Sequence, residues 1–386
     1  MKDFINEKVK LCKPSGIRKF FDIASEIEGC ISLGVGEPDF DTPWHIREAA
    51  IQSLKEGKTY YTSNAGLKEL RIEICKWLKD HYSLDYRWED EVIVTTGASE
   101  AVDLAFRSII NPGDEVIVPT PCYVSYEPSV ILCDGIVKTI QLKNENQFRL
   151  TPQELEEAIT PKTKAIILNY PNNPTGGVMS KEDLEAIAKV IIKHDLFVIS
   201  DEIYSELSYG DKKHFSIGAI DGMKERSFII NGFSKAYSMT GWRLGYICGP
   251  KEVVQQMYKI HQYAIMAAQT TSQFAGIEAL KNGDRDVQKM RNTYDERRKF
   301  LLKRFEKIGL PCFTPLGAFY AFPDIRKFGM SSEEFCLKLL EQEKVVVVPG
   351  NAFGEAGEGF IRISYAYSIK DLSKALDRIE KFIKNL

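Results

Sequence analysis

The chain has 386 residues, 44% hydrophobic and 27% charged, which suits a globular protein of roughly two or three domains and excludes a disordered chain. Lys and Arg number 51 against 54 Asp and Glu, so the net charge is −3 and no basic excess favours a nucleic-acid partner. The eight cysteines are scattered, the closest pair being Cys122 and Cys133, with no C-x-x-C element. They read as small apolar residues of a reducing cytoplasm, with neither disulfides nor a bound metal expected.

The N-terminal stretch Met1 to Leu11 holds no continuous apolar core of a signal peptide, and runs such as Val345 to Val348 are too short to span a bilayer, so no membrane association is expected. Thr42-Pro43 offers an N-cap and a proline at the first helical position, opening a helix to about Gly57. Leu67 to Lys79 has apolar residues at helical spacing. Glu91 to Thr95 reads as a strand, Ala98 to Ile110 as a helix, and Glu115 to Val118 as a strand. Lys164 to Asn169, Leu196 to Ser200 and Ser227 to Asn231 are near-continuous apolar strands, and Ser180 to Lys193 is a capped helix. This alternation predicts an α/β fold with a mostly parallel sheet sandwiched by helices. From Asp284 the pattern changes to a long amphipathic helix reaching about Ile308. Short strands follow near Ala318 to Phe322, Val345 to Val348 and Phe360 to Ser364, and a last helix follows Ser368. That is the pattern of a smaller α+β domain. The expected division is an N-terminal arm and part of the small domain over 1–44, a large domain over 45–283 and a small C-terminal domain over 284–386.

Several residues carry chemistry. Gly34-Val35-Gly36 lacks the third glycine of a dinucleotide fingerprint and suits close backbone approach to a ligand. Asp201 ends one predicted strand, where ligands of parallel sheets bind, and Tyr204 lies three residues on. Ser234-Lys235 follows the next strand end among Gly232, Phe233, Ala236 and Tyr237. A lysine desolvated there becomes a usable amine. Arg243, between Gly241-Trp242 and Leu244-Gly245, suits bidentate contact with an oxyanion. Gly97-Ala98-Ser99-Glu100 turns a strand into a helix whose N-terminus suits a phosphate. A carboxylate, a phenol, an amine, an arginine and a helix N-terminus together fit pyridoxal 5′-phosphate.

The chain resembles the fold-type I, class I/II pyridoxal-phosphate aminotransferases, in the branch of bacterial and archaeal aspartate and aromatic aminotransferases. The matching runs are Leu33-Gly34-Val35-Gly36-Glu37-Pro38-Asp39-Phe40, Tyr170-Pro171-Asn172-Asn173-Pro174-Thr175-Gly176 and Ser200-Asp201-Glu202-Ile203-Tyr204. Ser234-Lys235-Ala236-Tyr237-Ser238-Met239-Thr240-Gly241-Trp242-Arg243 and Arg362-Ile363-Ser364-Tyr365 complete the set, in the family's order. The resemblance implies that Lys235 carries the cofactor as a Schiff base and moves the substrate proton, and that Asp201 pairs with the pyridine nitrogen. It implies that Tyr204 and Asn173 donate to the ring's phenolic oxygen, and that Ala98, Ser99, Ser234 and Arg243 cradle the phosphate. Tyr123 resembles the aromatic stacked on the ring. Tyr61 resembles the tyrosine that reaches the neighbouring subunit's phosphate, implying a homodimer with shared sites. Arg362 resembles the clamp on the substrate α-carboxylate, helped by Asn173 and the backbone near Gly36. The Asn173–Pro174 bond is expected to be cis.

The implied reaction is cytoplasmic, ping-pong transfer of an amino group between an L-amino acid and a 2-oxo acid such as 2-oxoglutarate. Gly97 to Glu100 carries no lysine to meet a distal carboxylate, and Glu100 would repel an acidic side chain if it faced the site. Ser15-Gly16-Ile17-Arg18-Lys19-Phe20-Phe21 resembles the same stretch in aromatic and N-acetyl-diaminopimelate aminotransferases. Both features lean towards an aromatic or other bulky donor. Aspartate or N-acetyl-diaminopimelate transamination, and carbon–sulfur lyase chemistry on the same fold, stay open.

Overall fold

A computed structural model describes residues 3–14, 16, 27–210 and 213–386. Strand β1 (Ile31–Ser32) is followed by β2 (Val92–Thr95), β3 (Glu115–Thr120), β4 (Ile136–Gln141), β5 (Thr163–Asn169), β6 (Phe197–Asp201), β7 (Ser227–Gly232) and β8 (Gly245–Cys248). Strands β2 to β8 form one seven-stranded sheet in the order β2-β8-β7-β6-β5-β3-β4. Only β8 is reversed, running antiparallel to β2 and β7, while the other pairings are parallel. The sequence reading did not include β4 or β8. β4 is an edge strand with mostly exposed or half-buried residues, so it lacks a continuous apolar run. β8 is four residues long and begins two residues after Arg243.

Alternation along the inner strands explains why they read as unbroken apolar runs. Ile93, Val116, Val118, Ile167, Ile199 and Ile230 face one layer with the helices Gly97–Ile109 and Lys251–Ala264. Val94, Ile117, Ile166, Leu168, Val198 and Ile229 face the other, with Lys68–Tyr82, Lys181–Lys193 and Thr270–Asn282. With both faces covered, both sets must be apolar. The helix Lys181–Lys193 starts at a capping box: Ser180 Oγ accepts from Asp183 N at 3.2 Å, and Ser180 N donates to Asp183 Oδ2 at 2.9 Å.

The expected N-cap at Thr42 is corrected by the structure. The helix runs Trp44–Lys55, Pro43 holds the cap position, and no side chain caps it. Thr42 is buried and cross-links instead, its Oγ1 donating to Ser238 O at 2.6 Å and accepting from Trp242 Nε1 at 3.0 Å. A distant tertiary partner outcompetes the local cap.

The second layer holds β9 (Tyr320–Ala321), β10 (Val345–Val346), β11 (Val348–Pro349) and β12 (Ile361–Ser364). The run expected as one strand, Val345 to Val348, divides at Val347: β10 pairs with β1, and β11 with β12. The helix Asp284–Ile308 ends at Gly309, whose φ of 70° is the left-handed conformation that glycine adopts without strain. With Ser332–Glu343 and Ile369–Lys384 it buries Tyr294, Leu301, Phe335, Leu339, Leu376 and Ile379 in a core separate from those of the large sheet. Leu33 N donates to Val346 O at 2.8 Å and Ser364 N to Leu33 O at 2.8 Å, which lays Gly34-Val35-Gly36 between this layer and the strand ends of the large sheet. No helix among the described residues is long and apolar enough to cross a membrane.

Candidate active site

The carboxyl ends of β2, β3, β5, β6 and β7 open on one side, and the chain leaving each contributes to a cavity of about 420 Å³. Gly36, Ala98, Ser99, Tyr123, Asn173, Asp201, Tyr204, Ser234, Lys235, Arg243 and Arg362 all line it. Tyr61 does not: it is 84% exposed, on the surface loop before Ala65. Arg18 and most of the stretch Ser15 to Phe21 lie outside the described residues.

Asp201 forms the floor. Its Oδ2 accepts from Tyr126 OH at 2.7 Å and its Oδ1 from Ile203 N at 3.2 Å. Burial nevertheless pushes its carboxyl up to about 6, because these bonds and nearby Lys235 only partly offset desolvation. Asn169, at the end of β5, ties the floor together: its Nδ2 donates to Asp201 O at 3.0 Å and its Oδ1 accepts from Asn173 N at 3.1 Å. The Asn173–Pro174 bond is cis, as are Thr120–Pro121 and Tyr170–Pro171.

Lys235 Nζ donates to Gly36 O at 2.7 Å. Burial lowers its ammonium to about 8; Glu37 opposes that shift, and Arg362 and Arg243 reinforce it. Near physiological pH the ammonium still prevails, but the neutral fraction is far larger than an ordinary lysine has, as a nucleophile or base needs.

At the other end, the helix Gly97–Ile109 presents its N-terminus to Arg243. Gly97 has φ 77°, and a Cβ there would stand 2.7 Å from Arg243 Nη2. A Cβ on Gly245 would stand 2.6 Å from Ala98 N. Both glycines let the guanidinium and the turn close on the same space. Arg243 is exposed, with Nη1 bonded to Thr240 O at 3.1 Å, and Ser99 and Ser234 line the same cavity. These donors suit a compact dianion. Glu100 does not face the cavity. Its Oε2 accepts from Thr96 N at 2.5 Å, and its Oε1 lies 2.6 Å from Nδ1 of buried His261. The expected repulsion of an acidic side chain by Glu100 therefore does not arise.

Arg362 is 3% exposed on β12. Its Nη1 donates to Asn173 Oδ1 at 2.8 Å and its Nη2 to Gly34 O, while its Nε is buried without a partner. No carboxylate among the described residues pairs with it, and burial lowers its pKa. Its guanidinium carbon lies 4.5 Å from the Tyr320 ring centroid and 4.8 Å from that of Phe353. A buried cation with two aromatic faces and no anion has the donors that a carboxylate would satisfy.

The sequence reading missed Tyr126, Asn169 and Tyr320. Tyr126 opens the helix Tyr126–Leu132, and its ring lies 5.6 Å from that of Tyr123, a second aromatic close by in the sequence. Asn169 ends a strand adjacent to the one ended by Asp201. Tyr320 has no local signal, because its partners are far away in sequence.

Comparison with known proteins places this geometry in context. The family model described as aminotransferase class I and II matches residues 28–379. A putative aminotransferase, YugH, of Bacillus subtilis is 52% identical over 99% of both chains. Aromatic-amino-acid aminotransferase 2 of Thermococcus litoralis is 44% identical over 98% of both. The solved structure of aspartate aminotransferase from Thermus thermophilus with maleate superposes with a TM-score of 0.94, at 39% identity, covering 99% of this chain and 100% of that one.

Proposed function

The chain belongs to the class I and II aminotransferases and is a transaminase, and from that premise we propose that it is a cytoplasmic, homodimeric enzyme using pyridoxal 5′-phosphate. On this reading it moves an amino group from an aromatic or other bulky L-amino acid to a 2-oxo acid such as 2-oxoglutarate. The observation that carries the proposal is one cavity with a depressed lysine, a buried floor carboxylate, a dianion cradle and an unpaired arginine.

The residues fit the cofactor's groups one by one. Arg243, Ser99, Ser234 and the Ala98 amide would hold its phosphate. Asp201 would face the ring nitrogen, Tyr204 and Asn173 the phenolic oxygen, and Tyr123 the ring face. When bound, the cofactor supplies an aldehyde for the amino group and a ring that delocalises the electrons left when the α-proton departs.

The chain's own residues do the rest. Arg362 gains in the substrate α-carboxylate the anion it lacks, and this fixes the α-carbon. The neutral amine of Lys235 takes the proton from that carbon and returns it to the acceptor carbon. Asp201, ionised when a protonated nitrogen faces it, keeps the positive charge at the ring's far end. Water leaving the cavity strengthens each contact.

Three cations line the cavity among the described residues, Lys235, Arg243 and Arg362, and each already has a role. Among the described residues of this chain, no further cation lines the cavity beside these three. The relatives named for aromatic amino acids and for aspartate bracket the choice. For the dimer, Tyr60, Tyr61, Tyr263, Ile265 and Met266 form an exposed apolar surface suited to a second copy. Thr270 Oγ1 to Tyr60 O at 2.8 Å and Asn64 Nδ2 to Met266 O at 2.7 Å hold its parts together. Tyr61 on this surface would reach the phosphate in the partner protomer.

The test is the visible spectrum of cofactor-loaded protein as phenylalanine, aspartate and glutamate are added separately. Phenylalanine is expected to discharge the visible band, and 2-oxoglutarate to restore it. A band unmoved by all three defeats the reading, and a response to aspartate alone defeats the donor assignment.

A further inference from the structure

Tyr320 sits where three parts of the cavity meet. It lies on β9, in the C-terminal layer, and is 1% exposed. Its hydroxyl is 2.8 Å from the hydroxyl of Tyr204, which belongs to the chain leaving β6 in the large sheet. Its ring lies under the Arg362 guanidinium at 4.5 Å. A Cβ on Gly36 would stand 2.2 Å from the same hydroxyl, so the glycine whose carbonyl receives Lys235 leaves room for Tyr320.

Two phenols in contact must share one proton direction: one donates to the other, and the donor cannot use that proton elsewhere. If Tyr204 donated to Tyr320, it would have no proton left for a ligand. If Tyr320 donates, the Tyr204 proton is free to point into the cavity, and the bond it makes there is strengthened by the one it accepts. Among the described residues, no other hydrogen-bond partner of the Tyr204 hydroxyl competes with Tyr320.

We propose that Tyr320 is a positioning residue: its hydroxyl donates to Tyr204 and aims the Tyr204 proton at the cofactor's phenolic oxygen, while its ring holds the Arg362 guanidinium in place for the substrate carboxylate. The inference rests on the function proposed above. One side chain thus serves both the ring-oxygen end of the cofactor and the carboxylate clamp of the substrate.

The readout is the pH midpoint of the visible absorbance of protein loaded with pyridoxal phosphate. A donor to the phenolic oxygen stabilises its anion and lowers that midpoint. Tyr320→Phe keeps the ring and removes only the hydroxyl, leaving Glu37, Asp201, Arg243 and Arg362 around Lys235 unchanged. It is expected to raise the midpoint by about half a pH unit, with little change in KM for the 2-oxo acid. Tyr320→Leu, which also removes the ring, is expected to raise that KM about tenfold. In a Tyr204→Phe background the midpoint shift from Tyr320→Phe should vanish. An unchanged or lowered midpoint in Tyr320→Phe overturns the proposal, as does a shift that persists without the Tyr204 hydroxyl. If wild-type protein shows no pH-dependent visible band, the functional reading fails; if it titrates and the variants titrate identically, only the role of Tyr320 fails.

Discussion

The floor of the cavity and its upper wall are built on opposite plans. On the floor, Asp201, Asn169, Asn173 and Tyr126 bond one another and the strand ends, so the polar groups there already have partners within the chain. On the upper wall, among the described residues, Arg362 is buried without an anion and Lys235 hydrogen-bonds only a backbone carbonyl, while Arg243 stands exposed beside the N-terminus of the helix Gly97–Ile109. The floor's hydrogen bonds support the fold and orient the ligand; the wall's cations lower stability until a ligand arrives. Substitutions on the wall should therefore cost activity without costing stability, and those that strip a bond from the floor should cost both.

The largest effect is expected at Lys235. Lys235→Ala should lower the transamination rate by about 10⁴-fold, near the top of what a positioned base contributes, with the far-ultraviolet circular dichroism unchanged. Arg362→Leu comes next. Losing the charged partner of the α-carboxylate should lower kcat/KM for donor and acceptor by about 10²–10³-fold. Its melting temperature should stay equal or rise, because an apolar side chain replaces a buried unpaired charge. A clear drop in melting temperature would mean that Arg362 is part of the fold's support, and the contrast between wall and floor would break there. Tyr126→Phe tests the floor. It strips one bond from a buried carboxylate, so stability should fall by about 1 kcal/mol in denaturant titrations. The Asp201 carboxyl should rise further, moving the acid limb of the rate–pH profile upward.

The same contrast explains what could be read from the sequence. The strand ends and the turns after them are local features, so Asp201, Ser234, Lys235 and Gly97 stand out from apolar runs followed by chemistry-bearing residues. Arg362 is anomalous in an apolar strand, and its type already asks for an anion. The supporting residues are not local. Tyr126 acquires its meaning from Asp201, 75 positions away, and Tyr320 from Tyr204, 116 positions away. Thr42 reads as a cap because that is the local option, and only the folded chain supplies Ser238 and Trp242. Glu100 shows the reverse error. Its place in the turn that opens the helix Gly97–Ile109 suggests a role in the site, but His261 and Thr96 N turn it away. Residue type and local position identify the groups that line the cavity, whereas those that hold such groups in place require the tertiary structure.

A further effect sharpens the comparison through pH, in cofactor-free protein. Lys235 titrates near 8 in the folded chain against 10.5 as its ordinary value. Between those values the unfolded chain binds more protons, so stability rises with pH across that window. Below about 8 the penalty for a charged, buried ammonium is present in full. Asp201 titrates near 6 against 3.8, the opposite displacement for an acid. Its penalty is absent below the lower value, grows between the two, and is complete above the higher. Near neutral pH both costs are therefore present together, each on the order of 3 kcal/mol. Lys235→Met should be more stable than wild type at about pH 7, with the gap closing towards about pH 10. Asp201→Asn should show its gap opening as pH rises from about 4 to about 6. Denaturant titrations across this range read both. Parallel stability–pH curves for Lys235→Met and wild type would mean that the amine is not desolvated in the empty cavity, and that the wall carries no charge penalty before a ligand binds.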